Sequence, residues 1–119
     1  MNKIILIGRL TRDAELRYTK DGGTAVASFT LAVDRPFKKD ETDFISVVVW
    51  RKQAENVAQY TGKGSLVAVE GRLQIRSYED RDGIKRKAAE VVADNVRFLG
   101  GKKQQAEQET FESEEDIPF

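Results

Sequence analysis

Between Asp43 and Tyr78 the chain has few ways to fold. Asp43-Phe44-Ile45-Ser46-Val47-Val48-Val49-Trp50 is a β-branched and aromatic run that fits a pleated, half-buried strand. From Lys52 to Thr61, Ala54, Val57 and Ala58 fall on one face at helical spacing, and Gly62 stands where a helix would stop. Ser65 to Tyr78 then returns as a second, unusually long strand. Strand, helix, strand is the unit around which the remainder must pack.

Alternate side chains of a strand point to opposite faces, so each strand sorts its own residues. Ile45, Val47 and Val49 share one face of the first strand; Phe44, Ser46, Val48 and Trp50 share the other. In the second, Val67, Val69, Leu73 and Ile75 line one face, opposite Arg72, Gln74, Arg76 and Tyr78. The aliphatic faces predict a core. The faces that mix rings with guanidinium groups suit stacked bases and phosphates of a single-stranded nucleic acid.

The flanking segments supply more strands. Asn2 to Leu10 is apolar on both faces, with Ile4 and Leu6 opposite Ile5 and Ile7, so it needs cover either within one barrel or from another subunit. Gly8 within it predicts a bulge or close packing. Thr11 to Gly23 is polar and ends in a turn signal, Lys20-Asp21-Gly22-Gly23. Ala25 to Asp34 alternates, with Ala27, Phe29, Leu31 and Val33 inward, and Arg35 to Glu41 reads as a hairpin loop because Pro36 cannot extend a central strand. Phe37 sits in that loop among Arg35, Lys38 and Lys39; it serves either as a lid over the core or as a stacking residue, and the cations favour stacking. Gly71 falls where a barrel strand must bend. Ile84 to Leu99, entered through Lys85-Arg86-Lys87, is the last strand. Five strands with a short helix between the third and fourth match an OB-fold Greek-key barrel, a mainly β class.

Composition narrows the chemistry. The 119 residues contain no cysteine and no histidine, so thiolate chemistry is excluded, and zinc sites and the usual general base are not expected. No catalytic residue, metal or cofactor is predicted. No apolar run approaches membrane-spanning length, which makes a soluble intracellular protein the expectation. A net charge of zero hides a division: residues 1–100 hold eighteen Lys and Arg against fourteen Asp and Glu, while residues 101–119 hold two against six. The expected organisation is a basic domain over 1–100, a disordered linker over 101–113 and an acidic tip over 114–119. That tip, Glu114-Glu115-Asp116-Ile117-Pro118-Phe119, reads as a docking peptide in which Ile117 and Phe119 fill a pocket and the acids meet a basic rim.

In order along the chain, Asn2 to Leu10, Leu16-Arg17-Tyr18-Thr19, Trp50 to Glu55, Lys63-Gly64-Ser65, Val69 to Leu73 and the terminal Asp116-Ile117-Pro118-Phe119 resemble the bacterial single-stranded DNA-binding proteins. The resemblance implies an OB-fold homotetramer wrapped by single-stranded DNA, without enzymatic activity, in the cytoplasm and associated with the nucleoid. Its tail would recruit proteins of DNA replication, recombination and repair. The family's stacking aromatics fall on Phe37, Phe44, Trp50 and Tyr78, and its basic positions on Lys3, Arg17, Lys38, Lys52, Lys63, Arg76 and Arg86; Arg9, Arg35 and Arg72 add cations of this chain's own. The choice of DNA over RNA comes from the resemblance alone. Ile45 stands where some members carry a tetramer-contact histidine, and the linker is short for the family. Another OB-fold module, such as a primosomal restart factor or a transfer-RNA-binding domain, would not be expected to end in this tip. A small hydrolase using Asp43 and Glu70, or a purely structural protein indifferent to nucleic acid, are the other classes weighed.

Overall fold

The computed structural model describes residues 1–101. Six strands and one helix follow in the order β1 (Ile4–Leu10), β2 (Glu15–Tyr18), β3 (Ala25–Arg35), β4 (Lys38–Trp50), α1 (Arg51–Tyr60), β5 (Leu66–Glu79) and β6 (Lys85–Gly100). The sheet runs β1-β5-β6-β4-β3-β2, and β1 also pairs with β3. That extra pairing closes β1, β5, β6, β4 and β3 into a five-stranded ring, with the parallel β4–β6 contact between antiparallel neighbours. This is the expected OB barrel. The helix lies where the sequence placed it; β2, a short strand on the edge of β3, shifts the strand count by one.

Alternation builds the core. Phe29 opposes Val47, Leu31 opposes Ile45 and Ala27 opposes Val49 across β3 and β4, so these side chains enter the barrel together. Val67 and Val69 of β5 and Val91 and Val96 of β6 complete the wall, and Ala54 and Val57 close it from α1. Each fully buried Val or Leu contributes roughly 1.5 to 3 kcal/mol relative to exposure. Close packing explains two glycines: a Cβ at Gly8 would lie 2.3 Å from the Ala32 carbonyl oxygen, and one at Gly71 2.1 Å from that of Val92.

Three departures from the sequence reading have physical causes. The loop expected over Arg35 to Glu41 is only the turn Pro36-Phe37, because Arg35 pairs with Lys38 and the strands continue. Outside the barrel, polar cross-strand contacts replace hydrophobic patterning: Thr42 Oγ1 donates to Asp34 at 3.0 Å, and Arg35 forks onto Asp43 and Glu41. Leu16 in the polar stretch reaches the core and makes β2 a strand. Leu73 and Ile75, predicted to be core, are 43% and 54% exposed. A register shift at Glu70/Gly71 marks where β5 becomes exposed; β6 stays in the wall as far as Val91 and Val92, which pair with Val47 and Val48, and away from them the two strands continue as an arm.

Candidate nucleic-acid interface

The outward face of β4 follows directly from its inward one. With Val47 and Val49 fully buried, Phe44, Ser46, Val48 and Trp50 must point away from the core, and Phe44 and Trp50 are 67% and 43% exposed. Six residues apart on one strand, the two rings stand roughly 20 Å from each other. On β3, Ser28 and Thr30 pair with Val48 and Ser46 and extend this face sideways. On β2, Arg17 pairs with Val26 and joins it.

A groove of about 920 Å³ lies over this surface. Its lining brings together three of the residues singled out in the sequence, Arg17, Phe44 and Arg76. Its charged lining is balanced, with Arg12, Arg17 and Arg76 against Asp13, Glu15 and Glu90. The groove therefore offers apolar and hydroxyl surface with local charges, without net attraction for phosphate. Trp50 continues the β4 face beyond the groove, where α1 begins. Phe37 stands at the tip of the β3–β4 hairpin, fully in solvent. Tyr78 lies on the arm, on the same face as Arg72 and Arg76 and opposite Arg86.

Other predicted cations are elsewhere. Lys3 and Arg9 flank Ile5 and Ile7 on the outer side of β1, away from the groove lining. Arg9 Nη1 donates to the Gly64 carbonyl at 2.8 Å, a contact that pins the α1–β5 loop. Lys52 is exposed on the first turn of α1, and Lys63 is exposed in that loop, where its backbone N–H donates to Asp13 at 2.8 Å. Arg51, between Trp50 and Lys52, holds a left-handed backbone with φ of 63°.

Most of these cations already have carboxylate partners. Arg35 pairs with Glu41 at 2.7 Å and Asp43 at 3.0 Å, Arg76 with Glu90 at 2.9 Å, Arg86 with Asp80 at 2.5 Å, and Arg72 with Asp94 at 4.0 Å. Lys38 reaches Glu41 at 3.8 Å, Arg17 reaches Glu15 at 3.9 Å, and Lys3 pairs with Glu70. The hydrogen bond and charge of Asp43 raise the Arg35 pKa, and those of Lys3 hold the Glu70 carboxyl below its ordinary range. Asp80 is also held low, first by the Arg86 hydrogen bond and then by the Ile84 N–H. Where both side chains are well exposed, as in the pairs of Arg17, Arg35, Lys38 and Arg72, the pairing is weak and screened by salt, so a phosphate can take the carboxylate's place there.

Sequence reasoning did not single out Arg12, Ser28, Thr30, Ser46 or Glu90 as part of a site. The alternation that exposed Phe44 also placed the three hydroxyls outward, so that signal was present. Arg12 lies between β1 and β2, where no periodicity reports a direction. Among the described residues, no group of three or more His, Cys, Asp and Glu side chains is placed to hold a metal ion. The tip Glu114–Phe119 lies outside the described residues.

A family model described as the single-strand binding protein family matches residues 1–99. The chain is similar to a single-stranded DNA-binding protein of Clostridium tetani, 54% identical over 123 residues, with all of this chain and 85% of the relative covered. It is 60% identical over 102 residues to single-stranded DNA-binding protein 3 of Clostridium acetobutylicum, covering 83% of this chain and 71% of the relative. Single-stranded DNA-binding protein 2 of Listeria monocytogenes is 53% identical over 111 residues, with coverages of 90% and 69%.

Proposed function

The chain belongs to the single-strand binding protein family, and from that premise we propose that it binds single-stranded DNA without regard to sequence, protects it, and carries out no catalysis. The observation that carries this reading is the outward face of β4, where Phe44 is exposed in a groove that also holds Arg17 and Arg76, and where Trp50 continues the exposed face beyond that groove. Bases have a π-face whatever their identity, so stacking on these rings is tolerant of sequence; for this class of protein it contributes roughly 1 to 3 kcal/mol per base. A duplex keeps its bases stacked on each other and has no free face to offer. Phe37 on the hairpin and Tyr78 on the arm extend the path, and exposed cations along it meet the phosphates as their carboxylate partners are displaced.

Assembly and recruitment belong to the same proposal. Ile5 and Ile7 stand side by side on the outer face of β1, 65% and 55% exposed, and a second copy would cover them on the way to a homotetramer. The residues Glu114 to Phe119 would dock replication, recombination and repair proteins, in the cytoplasm and at the nucleoid. Among the described residues no helix is long and apolar enough to cross a membrane.

Fluorescence anisotropy of labelled oligo-dT, with unlabelled single strand or duplex as competitor, tests the binding. The expected result is displacement by single strand and little by duplex; equal competition would refute the reading. Removing residues 114–119 should leave DNA affinity equal or higher and abolish capture of replication proteins. Capture that survives the deletion would refute the docking role.

A further inference from the structure

We propose that Arg76 is a stacking residue and not a phosphate contact: its guanidinium plane, backed by the Tyr78 ring and fixed by Glu90, is the surface on which a base in the groove stacks. The inference rests on the single-strand-binding reading and assigns the chemistry of one part of that site.

Two contacts and one cross-strand neighbour place the guanidinium. Its Cζ lies over the Tyr78 ring, 5.6 Å from the centroid, within the range of a cation–π interaction. Its Nε donates to Glu90 Oε1 at 2.9 Å. Opposite Arg76 on β6 is Ala88, whose small side chain leaves room for the long arginine to lie across the arm towards Glu90, two residues further along. Glu90 is the firmer partner, its side chain 14% exposed against 58% for Arg76. A carboxylate so enclosed, bonded to Nε, fixes the plane of the fork.

The placement relative to the groove decides what a ligand meets. Arg76 lines the groove with Phe44, and Tyr78 is not among the lining residues. A base entering beside Phe44 therefore reaches the guanidinium before the phenol. Arginine is planar, delocalised and weakly hydrated, and nucleobases stack on it as they do on aromatic rings. Its charge is already balanced by Glu90, within a groove whose charged lining sums to zero. That environment favours a flat, polarisable surface over a phosphate clamp.

Lysine keeps the charge and loses the plane, so Arg76→Lys separates the two roles. Oligo-dT affinity of the full-length protein is measured for wild type, Arg76→Ala and Arg76→Lys across a range of salt concentrations. One lost stack corresponds to a fall of about 5- to 150-fold. Both variants are expected to lose affinity within that range, with the slope of log K against log salt unchanged. If Arg76→Lys binds like wild type, or Arg76→Ala reduces the slope by about 0.7, the unit expected for one phosphate on a single strand, Arg76 is a phosphate contact and the proposal fails. Glu90→Ala should weaken binding several-fold, and Glu90→Gln, which keeps an oxygen for Nε, should recover most of that loss. Tighter binding by Glu90→Ala would show Glu90 to be a mere competitor of phosphate and would also overturn the proposal. Wild type that binds while these variants behave as phosphate-contact mutants overturns this inference alone; wild type that does not bind overturns the proposed function with it.

Discussion

Up to Gly71, β5 is buried in a barrel wall; beyond it, the same strand is exposed and runs out with β6 into an arm standing in solvent. The alternation does not change at that point. Val67 and Val69 are fully buried, whereas Leu73 and Ile75, in phase with them, are about half exposed. Period-2 patterning reports which side chains share a face, and it does not report whether anything covers that face. The two regions also divide the work. The barrel supplies stability and displays the β4 face, and the arm carries Arg76, Tyr78 and Arg86 out to it with little packing of its own.

The largest effect expected from this division is on stability. Leu31 is fully buried at the centre of β3, and Leu31→Ala should cost about 2 to 5 kcal/mol in urea unfolding. Ile75→Ala on the arm should change stability by no more than about 0.5 kcal/mol in the same experiment. Comparable losses at both positions would mean that the arm's apolar face is covered in solution, as it would be inside an assembly.

Binding should invert that order. Phe44 is 67% exposed, so Phe44→Ala should leave the unfolding midpoint near wild type, while weakening oligo-dT binding by roughly 1 to 3 kcal/mol in an anisotropy titration. A variant that unfolds early and binds normally would place Phe44 with the core and break the comparison from the barrel side.

The smallest effect concerns the tip of the arm. Asp80 accepts from the backbone N–H groups of Asp82 and Ile84 and from Arg86 Nε, which hold its carboxyl below the ordinary value of 3.8. A depressed carboxyl contributes order that is present above its unfolded pKa and is lost as pH falls through the folded one. Amide exchange at Gly83 and Ile84 should therefore accelerate as pH is lowered below about 4, relative to barrel amides corrected for intrinsic rates. Asp80→Asn should show fast exchange at neutral pH already, without altering the global midpoint. Arm and barrel exchanging together at all pH values would mean that they open as one unit.

Much of this was legible in the sequence where one physical rule decides the outcome. Val47 and Val49 fix Phe44, Ser46 and Trp50 on the opposite face, so the aromatic row could be read without knowing any neighbour. Gly8 announced a bulge or close packing and Gly71 a bend, and at both positions a carbonyl oxygen, of β3 and of β6, fills the space a Cβ would need. What could not be read depends on distant pairing. The exposure of Leu73 follows from the register shift where β6 slips past Asp94, and the Arg76–Glu90 contact follows from the same alignment. The short hairpin at Pro36-Phe37 rests on the Arg35, Asp43 and Thr42 contacts, which leave no hydrophobic trace. Likewise, β2 is only four residues long and polar except for Leu16 and Tyr18, too brief for a periodic signal.

The central claim is that the outward face of β4 stacks the bases of a single strand. Trp50 is the one tryptophan in the chain, so its fluorescence reports on that face alone. Titration with a long oligo-dT strand and with duplex of equal length, each at low and high salt, should give strong quenching by the single strand only, with affinity falling as salt rises. No quenching by the single strand at low salt, or equal quenching by both ligands, would contradict the account.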